Sequence, residues 1–243
     1  MLRSSLRWLL LSIGAGCTLV SSSTPVRGQL PALDSTRTVT IHAATLLDGK
    51  GGIQRDALVT VRGNRIVRVG KGSTATRATY ELGALSLLPG LVDAHVHPGW
   101  YINKKGALHR SDDGDSRETS ALALAGNLYA MLMAGVTTIQ SVGGPEDADL
   151  RDAVANGVIP GPRILTSLQP LNDASPTPDS LRALVRQRKA QGADLIKIFA
   201  SAGLGAGGEQ TYSDAQLAAL CGEAKAQGLR TVVHAISAKS VRA

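Results

Sequence analysis

The run Leu88-Pro89-Gly90-Leu91-Val92-Asp93-Ala94-His95-Val96-His97-Pro98 constrains the fold more than any other part of the chain. Its apolar, β-branched middle reads as a strand, opened by Pro89-Gly90 and closed by Pro98-Gly99. Side chains on a strand alternate with a period of two, so His95 and His97 project from one face, about 6–7 Å apart. Both imidazoles then lie at the C-terminal end of the strand, where a barrel of parallel strands carries its active site. Imidazole is the commonest protein ligand for zinc-type metals, and such a pair supplies two ligands from one rigid element. Asp93 shares their parity. There it either orients a ligand histidine or holds backbone.

Two further strands carry matching chemistry. Gly192-Ala193-Asp194-Leu195-Ile196-Lys197-Ile198-Phe199-Ala200 reads as a buried parallel strand, apolar on both faces, with Lys197 between two isoleucines. Burying an unpaired ammonium costs several kcal/mol or drives its pKa down until it is neutral. A neutral lysine is a nucleophile that captures carbon dioxide, and the carbamate is an anion able to bridge two metal ions. Leu229-Arg230-Thr231-Val232-Val233-His234-Ala235 is a short strand ending in a third histidine.

From Gly90 onward strands and helices alternate, which predicts a parallel α/β architecture. Strands are expected at 137–141 and 163–167 besides the three above, and helices at 117–134 and 148–156. A third helix, capped by Asp179 or Ser180, runs to 191, and a fourth opens with a Ser213/Gln216 capping box. That is about five strands of an eight-stranded TIM-like (β/α)8 barrel over residues 89–243. Before it, short strands at 38–46, 57–61, 65–69 and 79–88, with turns at Gly51-Gly52 and Gly63-Asn64, predict part of a small β-sandwich over 29–88.

Residues 1–28 read as a signal peptide, with Arg3 and Arg7 before an apolar stretch at 8–20 and a small, polar exit. Thirteen apolar residues are too few for a stable membrane span. Cleavage at Val26-Arg27-Gly28 predicts an exported, periplasmic or secreted product. Gly14-Ala15-Gly16-Cys17 imitates a lipoprotein site but has glycine in place of the usual aliphatic residue. Losing Arg3, Arg7 and Arg27 lowers the formal charge from +7 to about +4. No basic run interleaved with aromatics points to nucleic acid. Cys17 leaves with the signal, so Cys221 has no intrachain partner; its helical spacing with Leu217, Leu220 and Ala224 predicts a core residue.

Two motifs are set aside. Gly203-Leu204-Gly205-Ala206-Gly207-Gly208 matches G-x-G-x-x-G, but no helix opens directly after it, so a flexible loop over the metal site is the better reading than a nucleotide fingerprint. Asp112-Asp113-Gly114-Asp115 lacks the rest of a calcium loop and reads as a solvated loop.

Taken together, residues 89–97, Gly135-Val136-Thr137-Thr138-Ile139, Gly157-Val158-Ile159-Pro160-Gly161-Pro162-Arg163, 193–201, Tyr212-Ser213 and His234 resemble the amidohydrolase superfamily of metal-dependent hydrolases. The resemblance is to the branch holding imidazolonepropionase-like enzymes and Xaa-Pro and Xaa-Arg dipeptidases. It implies that His95 and His97 bind one divalent metal, that Lys197 is a carbamylated bridge, and that His234 binds a second, zinc being the default. No other cofactor is implied. The implied reaction is hydrolysis of an amide, peptide or cyclic amide C–N bond in a dipeptide or other small molecule, in a possible homo-oligomer. Gln140-Ser141 stand where relatives often carry Arg-Asp. The family also uses a histidine on strand six and a general-base aspartate on strand eight, and completes its sandwich with C-terminal strands. Residues 235–243 contain neither histidine nor aspartate. The expectation is a C-terminally truncated fragment, inactive and marginally stable by itself, with an inactive exported remnant or metal-binding module as the alternative.

Overall fold

The computed structural model describes residues 36–72, 77–110, 112–144 and 146–243; the signal segment lies outside the described residues. β1 (Thr38–Leu47) is antiparallel to β2 (Ile53–Arg62), which is antiparallel to β3 (Arg65–Lys71). Gly63, with φ of 57°, supplies the positive φ that a two-residue turn needs at its first position. The single strand expected at 79–88 is instead two short pieces, β4 (Tyr80–Glu81) and β5 (Ser86–Leu87), both parallel to β1. Gly83, at φ 57°, turns the chain between them. Ala43 and Ala57 are buried where β1 meets β2, whereas Ile53, Ile66 and Val69 leave an apolar trough open.

The second part runs β6 (Leu91–Val96), α1 (Arg117–Met133), β7 (Val136–Ser141), α2 (Asp147–Ala155), β8 (Arg163–Thr166), α3 (Pro178–Ala190), β9 (Leu195–Phe199), α4 (Asp214–Ala226), β10 (Arg230–His234) and α5 (Ala238–Arg242). β6, β7 and β8 pair in parallel, as do β9 and β10. Between β8 and β9 the ladder is stepped: Asp194 N–H donates to Thr166 at 2.8 Å, and Leu171 exchanges bonds with Lys197 and Phe199 at 2.8 and 3.0 Å. Five successive strands therefore lie side by side. The sheet does not close into a barrel.

Two apolar clusters fix which way each strand faces. Val96, Ile139 and Ile164 pack with Leu124 and Leu128 of α1 and Leu150 of α2. Ile196 and Ile198 pack with Leu181 and Val185 of α3 and Leu217 and Leu220 of α4. Each fully buried isoleucine contributes about 1.5–3 kcal/mol. By alternation, Gln140 on β7 and Lys197 on β9 face the opposite, interior side. Helices α1 to α4 each end just before a glycine in the left-handed region, Gly135, Gly157, Gly192 and Gly228, at φ 88°, 67°, 88° and 68°.

Local details correct three expectations. α3 is capped by Thr177, not Asp179 or Ser180, because Pro178 occupies the first helical position where its missing N–H costs nothing. Cys221 is exposed rather than core: on α4 the buried stripe is Leu217, Leu220 and Ala224, and Cys221 lines an open groove with Val233 and Val241. The 112–115 stretch is not simply solvated. Asp113 takes the Asn103 amide at 2.6 Å, and Asp115 takes the Tyr101 hydroxyl at 3.0 Å and lies 3.2 Å from His109. The Ser213/Gln216 capping box forms as expected.

Candidate metal centre

His95 and His97 lie at the C-terminal end of β6 with ring centroids 5.9 Å apart, so they share a side. Asp93 does not share it. Between the pairs Asp93↔Ile139 and Val96↔Ser141, β6 advances three residues while β7 advances two. That is a β-bulge, and it breaks the two-residue alternation just before His95. Asp93 lies in register with helix-facing Ile139, and its carboxylate accepts the His95 N–H at 3.1 Å. It holds backbone.

The turn after β6 is pinned from α1, where Asn127 donates to the carbonyls of Pro98 and Trp100, each at 2.9 Å. Trp100 stacks on His97 at 4.4 Å and 7°. Desolvation lowers the His97 pKa, opposed by the Gly143 backbone beyond β7 and aided by Lys197 and His95. His95 is lowered chiefly by desolvation, then by Lys197 and His234, with Asp93 opposing. Both rings are therefore biased toward the neutral form that binds metal.

Lys197 is 2% exposed. Burial pushes its ammonium pKa down. Nζ lies 5.0 Å from the centroid of Phe199, and no salt bridge is formed by it among the described residues. Phe199 pairs in register with His234 on β10, and the two rings are 5.2 Å apart.

The other histidines are occupied elsewhere. His42 is held between Asp56 and Glu81 on the first sheet, and His109 stacks on Tyr101 beside Asp115. Among the described residues no group of three or more His, Cys, Asp or Glu side chains is placed to hold a metal ion. The donor chemistry fits a metal where Lys197 supplies an anionic oxygen as its carbamate. The glycine-rich loop after β9 makes a 3-10 turn at Leu204–Ala206, and the next α-helix begins only at Asp214. Trp100 was not apparent from the sequence, although its place two residues after the strand-closing proline was the available signal. Gln140 was visible there only as a departure from the resemblance.

Five neighbouring parallel strands, flanked by helices and carrying imidazoles at the C-terminal ends of β6 and β10 and a buried lysine in the middle of β9, define part of a hydrolase-type (β/α)8 barrel. The chain belongs to the amidohydrolase family, whose model matches residues 86–242. N-acyl-D-aspartate deacylase of Alcaligenes xylosoxydans xylosoxydans is 40% identical over 63 residues, 26% of this chain and 13% of that protein. A solved Xaa-Pro dipeptidase with methionine in its active site is 27% identical, with a TM-score of 0.71 over 85% of this chain and 58% of that one. A putative prolidase from Bifidobacterium longum is 29% identical, with a TM-score of 0.67 over 85% of this chain and 51% of that one. Molinate hydrolase superposes with a TM-score of 0.73 at 20% identity, a likeness of fold alone. The chain spans roughly half the length of these solved relatives, 51% to 58%.

Proposed function

We propose that this chain carries the metal-binding half of an exported hydrolase acting on amide, peptide or cyclic amide C–N bonds. The observation that supports the reading is that His95 and His97 stand on one side at the end of β6, ring centroids 5.9 Å apart, while the buried Lys197 and His234 lie on the paired strands β9 and β10. His95 and His97 would hold one divalent ion, zinc by default, and His234 a second, with the Lys197 carbamate between them. Bound there, such ions lower the pKa of water and polarise a carbonyl. The chain's own part is to present neutral imidazoles and an amine that burial keeps ready to deprotonate. In carbamate formation the Lys197 nitrogen bonds to the carbon of carbon dioxide and its proton leaves to solvent. Trp100 and Asn127 hold the turn that fixes His97.

The dipeptidase named among the relatives makes Xaa-Pro dipeptides the first substrates to test. Export rests on the basic and apolar pattern of residues 1–28. The test is titration of the full chain with Zn2+ and Co2+ in bicarbonate, beside His95→Ala, His97→Ala and Lys197→Ala. Tight binding is expected in the parent and at least a hundredfold weaker binding in each histidine variant. Equal affinity in all four would overturn the assignment. A carbamate signal near Lys197 in 13C-bicarbonate NMR is expected with metal and absent from Lys197→Ala.

A second reading is a metal-binding module without turnover. It is favoured by the finding that, among the described residues, no group of three or more His, Cys, Asp or Glu side chains is placed to hold a metal ion. Metal binding without hydrolysis of Xaa-Pro dipeptides by this chain would select it.

A further inference from the structure

Gln140 lies on β7, 8% exposed, and its side-chain amide faces the interior of the sheet. Its Nε2 donates to the carbonyl of Ala94 at 2.9 Å, and its Oε1 accepts from the Arg230 guanidinium at 2.8 Å. Arg230 begins β10, the strand that ends in His234. The three groups form a line across the sheet from β10 through β7 to β6. Arg230, which can only donate, fixes which end of the amide is oxygen, so the nitrogen is committed to Ala94.

Ala94 and His95 are the two residues of β6 that the bulge leaves without a register partner on β7. A carbonyl out of register there gains from a side-chain donor, and an unsupported bulge would relax toward regular pairing. Regular pairing would move the side chains of β6 by one residue and turn His95 to the helix side. Two side-chain bonds prevent this: Asp93 takes the His95 N–H, and Gln140 takes the Ala94 carbonyl. Only the second connects β6 to other strands.

We propose that Gln140 is a positioning residue, which sets the β6 bulge through Ala94 and so aims His95 toward Lys197 and His234, with Arg230 as its anchor. The inference deepens the metal-site reading above and rests on it for its consequence. Its structural content stands apart from that reading. Residues that orient metal ligands from behind characteristically change metal affinity 10- to 100-fold when replaced.

The experiment uses the full chain with Gln140→Met, Gln140→Glu and Arg230→Lys. Methionine keeps the volume and loses both bonds. Glutamate keeps an ion pair with Arg230 but cannot donate to Ala94. Lysine keeps a donor for the Gln140 oxygen. Two readouts are taken: hydrogen exchange of the 94–97 backbone without metal, and Co2+ affinity by visible absorption. Both Gln140 variants should show exchange at 94–97 faster by about tenfold and Co2+ affinity about 10- to 100-fold lower. Arg230→Lys should stay within about threefold of the parent on both. Folded Gln140 variants with unchanged exchange would overturn the proposal whatever the metal does. Should the parent bind no Co2+, the metal-site reading fails, and exchange alone still decides the role of Gln140. If Gln140→Met does not fold, Gln140→Glu carries the test.

Discussion

Replacing Lys197 with methionine should stabilise the metal-free chain and abolish its stabilisation by metal. Lys197 is 2% exposed between Ile196 and Ile198; its Nζ lies 5.0 Å from the centroid of the Phe199 ring and forms no salt bridge among the described residues. A cation–π contact is worth about 0.5–2 kcal/mol. Stripping water from an ammonium costs several kcal/mol even after relaxation. The difference leaves the lysine unfavourable by about 2–3 kcal/mol. Methionine fills similar volume and places its sulfur near Phe199, a contact worth about 0.3–1.5 kcal/mol. For a chain of this size each kcal/mol moves Tm by about 2–4 °C. In EDTA and without bicarbonate, calorimetry should find Lys197→Met melting about 4–12 °C above the parent. With zinc at a hundred times its Kd the parent should gain about 2.7 kcal/mol, and the variant much less, so the gap closes or inverts. A lower Tm for Lys197→Met in EDTA would show that the ammonium has a partner and refute the burial argument. An equal response to zinc would remove Lys197 from the ligand set.

Four further outcomes are expected. His42 bridges Asp56 and Glu81 at 2.8 and 2.7 Å, and these bonds raise its pKa, Asp56 first; Arg77 faces Glu81 in turn. A raised folded pKa stabilises fully below the unfolded value of about 6.5 and is lost as pH climbs through the raised one. The melting advantage of the parent over His42→Gln should therefore be largest just below pH 6.5 and shrink above it; a pH-independent gap counts against the clamp. Gly90→Ala should destabilise by about 1–3 kcal/mol in urea titrations, because its Cβ would fall 2.7 Å from Thr137 Cβ, and Gly90→Ala/Thr137→Ser should recover part of that. Among the described residues β6 and β10 offer unpaired edges and Leu91, Val92 and Val233 are exposed, so light scattering should show self-association growing as concentration is raised above that of the binding assays; a monodisperse monomer throughout would contradict this. Mass spectrometry of the exported product should place its N-terminus near Gln29, and recovery of intact Met1 would refute export.

Most of the βα order was legible because punctuation and burial agree along the chain. Each helix-ending glycine marks a boundary that apolar spacing also marks, and β9 reads as buried on both faces because it is: Leu195, Ile196, Lys197 and Ile198 are all buried. Misreadings cluster where a neighbour outside the local pattern decides. Cys221 fits the helical stripe of α4, but the groove it shares with Val233 and Val241 stays open among the described residues, so spacing alone placed it in a core that does not extend there. The acids at 112–115 look solvated in sequence, and His109, Tyr101 and Asn103 draw two of them inward.

The candidate site divides in the same way, and β6 shows why. Parity correctly puts His95 and His97 together because the strand between them is regular. The same parity fails for Asp93, two residues earlier, because it assumes that β6 and β7 advance in step. They do not: one extra residue enters β6 between Asp93 and Val96. Nothing in the local sequence announces the bulge, since the groups that stabilise it lie on other strands, in Gln140 46 positions after Ala94 and in Arg230 90 after Gln140. Types of ligand can be read from one strand. Their aim depends on a polar line crossing three, and only the folded sheet brings its members within hydrogen-bonding distance.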